Sequence, residues 1–132
     1  ATKWPEASWT RVLHHDMKIK DTNASLAVAW PRFLVRGDHS LAFLELQSEE
    51  NKCAVNWEVQ SEDKVCCMVL LRKDTMAALG YGSGDIGLYD TTTGEHLLTL
   101  KGHLSPVHAL NVSPDDTLAA AYMDGLVVVW GP

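Results

Sequence analysis

An internal repeat of about 40 residues constrains the fold of this chain more than any other feature. Residues 65–78 match residues 107–120 at an offset of 42 positions, with an Asp-Thr pair and an Ala-Ala pair in register. After a deletion of one residue, residues 83–90 match residues 124–131 at an offset of 41. A fainter third copy lies upstream, where residues 38–45 occupy the same frame as residues 83–90. Self-similarity at this period predicts a repeat architecture with three units.

Each unit has the composition of short β-strands separated by tight turns. The last unit has three apolar, β-branched segments, at residues 107–113, 117–122 and 125–130. Proline and glycine between them supply the backbone angles that turns require. The middle unit adds a return strand at residues 96–100. The candidate strands of the first unit are 25–30, 33–36, 40–46 and 53–59. We therefore predict four-stranded antiparallel meanders, the last of which lacks its outer strand.

The strands do not alternate strictly between apolar and polar residues. Residues 126–130 are apolar on both faces, so their sheet must be covered on both sides. Because no helical segment separates the repeats, neighbouring sheets must provide that cover, which predicts an all-β propeller. Propellers close with typically four to eight blades. Three units are too few, and we expect the remaining blades to come from a longer chain or from association.

The best-matching motifs are those of the last unit. Gly102-His103, a Ser-Pro-Asp-Asp turn that begins at Ser113, Asp124-Gly125 and Val129-Trp130 follow one another in order. In these motifs the chain resembles the WD40-repeat β-propeller family. The resemblance implies a WD40-repeat region over residues 22–132, with blades at about 22–59, 60–100 and 101–132, preceded by an N-terminal extension or linker at 1–21.

The resemblance also implies a structural hydrogen-bond network within the last blade. In this family a histidine, an aspartate, a serine or threonine and a tryptophan form a buried chain, and the matching residues here are His103, Asp124 and Trp130. Tyr122 stands at the serine or threonine position, which is a departure from the pattern. We expect Asp124 to accept a hydrogen bond from His103 and to pin two loops together.

In this family the face that carries the histidine and the aspartate is the commoner docking face, called the His–Asp rim below. Its loops are 36–40, 60–64, 81–85, 101–106 and 123–125. The expected partner contacts are Asp38, His39, Glu62, Asp63, Ser83, Asp85, Leu104 and Met123. The resemblance thus implies a protein–protein interaction scaffold.

Charge narrows the class of partner. The chain has a net charge of -6, the wrong sign for wrapping a phosphate backbone, so we expect no nucleic-acid partner. Much of the excess lies between Glu45 and Asp63. This stretch is either a solvated loop or a docking surface for a basic peptide. The apolar runs are far shorter than the roughly 20 residues of a membrane span, so we expect no membrane partner.

The sequence gives no pattern of catalytic, cofactor-binding or metal-binding residues. His14-His15-Asp16 has no further ligand at zinc spacing, and the glycines of residues 80–84 precede a strand, unlike a phosphate loop. The three cysteines form no Cys-x-x-Cys pair and are expected to be reduced and buried. Three tryptophans on predicted strands, Trp30, Trp57 and Trp130, are expected in the core. We therefore predict a binding protein, not an enzyme, that acts inside the cell, in the cytoplasm or the nucleus.

Two alternatives remain open at this stage. A short amphipathic helix within residues 1–21 would favour the substrate-recognition part of a ubiquitin ligase, with an adaptor-binding module upstream. An enzyme with an active site in the central channel of the propeller is the alternative of another class. That enzyme would need polar residues where the innermost strands begin, and Val65 and Val107 stand there.

Overall fold

A computed structural model describes residues 24–47 and 52–131 of the chain, and its described part consists of three antiparallel sheets. The first sheet contains β1 (Ser25–Ala29), β2 (Arg32–Arg36), β3 (Ser40–Gln47) and β4 (Lys52–Gln60). The middle sheet contains β5 (Val65–Leu71), β6 (Met76–Tyr81), β7 (Asp85–Asp90) and β8 (His96–Lys101). The third sheet contains β9 (Val107–Val112), β10 (Leu118–Tyr122) and β11 (Val127–Trp130).

The sheets confirm the predicted all-β architecture of two four-stranded meanders and one three-stranded meander. Consecutive strands pair antiparallel in every sheet, as in the pairing of Ala120 with both Leu110 and Val128. The predicted strand ends are close to the observed ones. The largest difference is at β11, which begins at Val127 and not at residue 125, because Gly125 belongs to the preceding turn with a φ of 94°.

The middle sheet is packed on both of its faces. Ala77 and Ala78 are adjacent residues of β6, and their side chains point to opposite faces because strand side chains alternate. Ala77 belongs to a buried cluster shared with the first sheet, whereas Ala78 belongs to a second cluster shared with the third sheet. Leu34 and Phe43 are fully buried in the first cluster, and each such side chain contributes roughly 1.5–3 kcal/mol of burial free energy.

Polar side chains also join the first sheet to the middle sheet. The Arg36 guanidinium donates from Nη1 to Val65 O at 2.9 Å and from Nη2 to Cys66 O at 3.1 Å. At the opposite end of the sheets, Trp57 Nε1 donates to Thr91 O at 2.7 Å. In both contacts a side chain of the first sheet donates to a backbone oxygen of the middle blade. These hydrogen bonds fix the alignment of the two sheets.

The two outward faces of this stack carry exposed apolar residues. Val127 and Val129 of β11 are 62% and 59% exposed, and Leu26 and Val28 of β1 are also exposed. A stack of three sheets thus leaves two apolar faces uncovered.

The expectation that three tryptophans lie in the core is wrong for Trp30. Trp57 and Trp130 are partly buried and pack against the two clusters. Trp30 is 64% exposed and makes an edge-to-face contact with Phe33, at 5.7 Å between ring centroids. The reason is that β1 ends at Ala29, which leaves Trp30 in the turn before β2.

The cysteines are free, but they are partly buried where full burial was expected. Cys67 is the most constrained of them, with its Sγ donating to Val107 O of the third sheet at 3.7 Å. Burial raises the pKa of the Cys67 thiol to about 11. Few Cys67 side chains therefore carry the reactive thiolate near neutral pH.

We expect iodoacetamide at pH 8 to alkylate Cys67 about 100-fold more slowly in the folded chain than in the chain unfolded by urea, since the thiolate fraction falls tenfold for each unit of pKa. Peptide mass spectrometry measures both rates. Equal rates in the folded and unfolded chains would contradict the burial of this thiol.

No helix in residues 24–47 and 52–131 is long and apolar enough to cross a membrane.

Candidate functional site

Chain direction brings five connections to the same end of the three sheets. Because the strands run alternately up and down, the loops after β2, β4, β6, β8 and β10 all lie at one end. These five loops are the predicted His–Asp rim, and each predicted contact residue lies in one of them or, for Asp85, at the first position of β7.

Backbone hydrogen bonds join the rim loops of the first and middle sheets. Ser61 N donates to His39 O at 2.8 Å, and Val65 N donates to Asp38 O at 2.7 Å. Gly82 N donates to Lys64 O at 2.9 Å. The loops after β2, β4 and β6 therefore form a connected surface without help from any side chain.

The middle and third sheets meet at a close backbone contact on the rim. Gly84 has a φ of 96°, a conformation that favours glycine. A Cβ placed on Gly84 would lie 2.0 Å from His103 O and 2.8 Å from Ser105 O. The turn before β7 therefore packs directly on the loop before β9, and only a hydrogen atom fits between them.

His103 and Asp124 are brought together, but their side chains are 31% and 48% exposed, so this pair is not buried as the family pattern would have it. His103 Nε2 lies 2.5 Å from Asp124 Oδ2, and Met123 N donates to Pro106 O at 2.9 Å. The hydrogen bond with His103, supported by the Leu126 N–H, lowers the pKa of the Asp124 carboxyl, which is therefore ionised at neutral pH. The loop after β8 and the turn after β10 are thus held side by side.

Tyr122 has a role that the sequence did not reveal. Its ring lies edge-on to the His103 imidazole at 5.2 Å, and its hydroxyl donates to Gly84 O at 3.3 Å. Tyr122 therefore links the third sheet to the rim of the middle sheet. In the family pattern, the serine or threonine at this position acts within one blade.

The Trp130 ring lies against Gly102. A Cβ placed on Gly102 would stand 2.6 Å from Trp130 Cζ2. That Trp130 takes part in the network stays a prediction.

The predicted contact residues differ in accessibility. Leu104 is 96% exposed and Met123 is 65% exposed. His39, Glu62 and Ser83 are exposed as well, whereas Asp38, Asp63 and Asp85 are partly buried. Asp38 lies 3.9 Å from the Arg36 guanidinium, so part of its charge is balanced within the fold. Their roles in binding stay predictions.

The described acids of the stretch from Glu45 to Asp63 do not form one surface. Glu45 lies on β3, Glu58 lies on β4, and Glu62 and Asp63 belong to the rim. Glu49 and Glu50 lie outside the described residues. The exposed basic side chains of the rim are Lys64 and Lys101, and Lys101 Nζ lies 3.4 Å from Asp85 Oδ2.

Among the residues that the structure describes, no group of three or more His, Cys, Asp or Glu side chains is placed to hold a metal ion. His14-His15-Asp16 and the proposed helix of residues 1–21 lie outside that part of the chain.

Two four-stranded meanders and one three-stranded meander are stacked, and a histidine and an aspartate are paired on one rim. This is the fold of three blades of a WD40-type β-propeller. The chain is 27% identical over 129 residues to the serine-threonine kinase receptor-associated protein of Gallus gallus, a WD40-repeat protein. This match covers 86% of the chain but 33% of that protein, so the chain spans about one third of its length. No protein-family model matches the chain.

Solved structures show the same fold. A chain of apo ctPRC2 in an autoinhibited state superposes with a TM-score of 0.70 at 18% identity, covering 92% of this chain and 31% of that one. A chain of ctPRC2 in complex with H3K27me3 and H3K27M superposes with a TM-score of 0.67 at 17% identity. The match covers 83% of this chain and 26% of that one. The computationally designed Ika4 protein superposes with a TM-score of 0.63 at 20% identity. The match covers 80% of this chain and 63% of that one.

Proposed function

We propose that the chain is part of a protein–protein interaction scaffold, and that its His–Asp rim is the docking surface. The observation that carries this proposal is the set of hydrogen bonds and close contacts that joins all five rim loops. Loops that are already ordered lose little entropy on binding, so modest contacts are sufficient for affinity. The intracellular location predicted from the sequence remains part of this proposal.

The similar proteins support a binding role. The relative from Gallus gallus is named for association with a serine-threonine kinase receptor, and one ctPRC2 structure is a complex with H3K27me3 and H3K27M. WD40 propellers of this kind are typically scaffolds without catalytic activity. We propose the same class of function for this chain, with a protein or peptide as the partner.

Two other functions have less support. The ubiquitin-ligase alternative depends on residues 1–21, which lie outside the described residues. For a central-channel enzyme, the innermost strands β5 and β9 would have to begin with polar groups. They begin with Val65 and Val107, which are both fully buried.

The charged part of the rim supplies the first test. We expect the double variant Glu62→Ala/Asp63→Ala to lose partners that the native chain captures from a cell extract, because an exposed and a partly buried carboxylate are removed from the docking surface. Quantitative mass spectrometry of the captured proteins measures the loss. Thermal stability should change little, since surface substitutions usually alter it by about 0.5 kcal/mol or less.

The same acidic stretch offers a matched control. Glu45→Ala/Glu58→Ala removes the same charge from two strands of the first sheet and leaves the rim unchanged. We expect this variant to keep the partners that Glu62→Ala/Asp63→Ala loses. If both variants lose the same partners, or if neither loses any, the rim carboxylates do not contribute to docking.

A further inference from the structure

Two large apolar side chains stand exposed on neighbouring loops of the rim. Leu104 lies in the loop after β8 and Met123 in the turn after β10. Those two segments are held together by the bond from Met123 N to Pro106 O and by the contact between His103 and Asp124. Pro106 is exposed as well. We call Leu104, Pro106 and Met123 the Leu104–Met123 patch.

The fold itself gains little from these side chains. Leu104 has 96% of its surface open to solvent, so it contributes almost no buried area to folding. The loops below the patch are nonetheless fixed, because the turn at Gly84 packs on His103 O and Ser105 is buried. Large apolar side chains that stand exposed on neighbouring fixed loops are typical of an interaction site.

The carboxylates beside the patch indicate the charge of its partner. Asp124 follows Met123 directly, and Asp85 begins β7 beside the turn that contacts His103. Asp124 is paired with His103, and Lys101, whose side chain is 78% exposed, lies beside Asp85. Its 3.4 Å contact with Asp85 is an exposed ion pair, which is typically worth little and is open to exchange with a cation of a partner.

We propose that the Leu104–Met123 patch binds an extended peptide segment of another protein, with a large apolar side chain seated on the patch and a neighbouring basic side chain against Asp85 and Asp124. This inference rests on the proposed function and names the class of partner. The apolar contact supplies affinity and the carboxylates select for a basic neighbour.

Selection from random 12-residue peptides displayed on phage tests the proposal directly. The targets are the full 132-residue chain and its double variant Leu104→Ser/Met123→Ser. We expect the native chain to enrich peptides that carry a large apolar residue close to Arg or Lys. A synthetic peptide from that pool should bind the double variant about tenfold or more weakly, as expected when apolar anchors at the centre of a contact are removed.

Leu97→Ser is the matched control, because Leu97 is an exposed leucine on β8 outside the rim. It should bind the same peptide as tightly as the native chain, and circular dichroism should show all three proteins folded. Enriched peptides without the apolar and basic pair, equal binding to the double variant, or no enriched peptide at all would each overturn this inference. The proposed function would then depend on the comparison of the Glu62/Asp63 and Glu45/Glu58 variants alone.

Discussion

Gly84→Ala is expected to lower the free energy of unfolding by about 3 kcal/mol or more. A left-handed backbone costs a residue with a Cβ about 1–2 kcal/mol, and forced overpacking adds about 1–3 kcal/mol. Here the new methyl group would stand 2.0 Å from the backbone oxygen of His103, which cannot rotate away as a side chain can. Urea denaturation followed by tryptophan fluorescence measures the change.

Gly125→Ala is the matched control for Gly84→Ala, because Gly125 occupies the same position in the next repeat. Gly125 aligns with Gly84 at the offset of 41, and each N–H donates to the oxygen of a tyrosine three residues earlier, Tyr122 or Tyr81. Gly125 has a φ of 94°, but a Cβ there would meet no atom within 4 Å. We expect Gly125→Ala to lower the free energy of unfolding only by the cost of the left-handed backbone, about 1–2 kcal/mol. Equal losses for the two variants would show that the middle and third blades do not meet at Gly84.

Arg36→Ala is expected to destabilise the chain by about 3 kcal/mol, because hydrogen bonds from a charged group are worth roughly 1.5–3 kcal/mol and this residue makes several. Nη1 and Nη2 donate to Val65 O and Cys66 O of the middle sheet, and Nε donates to Ser25 Oγ at 2.8 Å. The Arg36 side chain is only 12% exposed, so water cannot easily replace these contacts. The measurement is again the free energy of unfolding in urea.

Two further variants separate the contributions of the guanidinium. Arg36→Lys keeps the charge but loses the planar fork that reaches two carbonyl oxygens, and we expect it to recover less than half of the lost stability. Ser25→Ala removes only the exposed contact with Nε and should cost less than about 1 kcal/mol. An Arg36→Ala variant no less stable than Ser25→Ala would contradict a role in joining the first two blades.

The strands were predictable because their signal is local. In β10 and β11 the apolar pattern and the flanking turn residues are contiguous in the chain, and each strand pairs with its neighbour in sequence. The exposure of Trp30 was not predictable, since one residue decides whether it belongs to β1 or to the turn that follows.

The rim was only partly predictable. His103 and Asp124 follow from the repeat motif, and the structure places them in hydrogen-bond contact. The contact of Tyr122 with Gly84 joins residues 38 positions apart on two blades, and Arg36 reaches Val65 across 29 positions. Such contacts depend on how the blades are aligned, which no local pattern records. The tyrosine at the serine position was a visible sign that this rim departs from the family pattern.

The central claim is that the middle sheet lies between two other sheets. Methyl nuclear Overhauser effects from Ala77 and Ala78 test it most directly, because these adjacent residues are both fully buried and belong to different clusters. Ala77 should show contacts to residues of the first sheet such as Leu34 and Phe43. Ala78 should show contacts to residues of the third sheet such as Leu118. If the two methyl groups share one set of neighbours, or if either shows contacts only within its own sheet, the stacked arrangement is wrong.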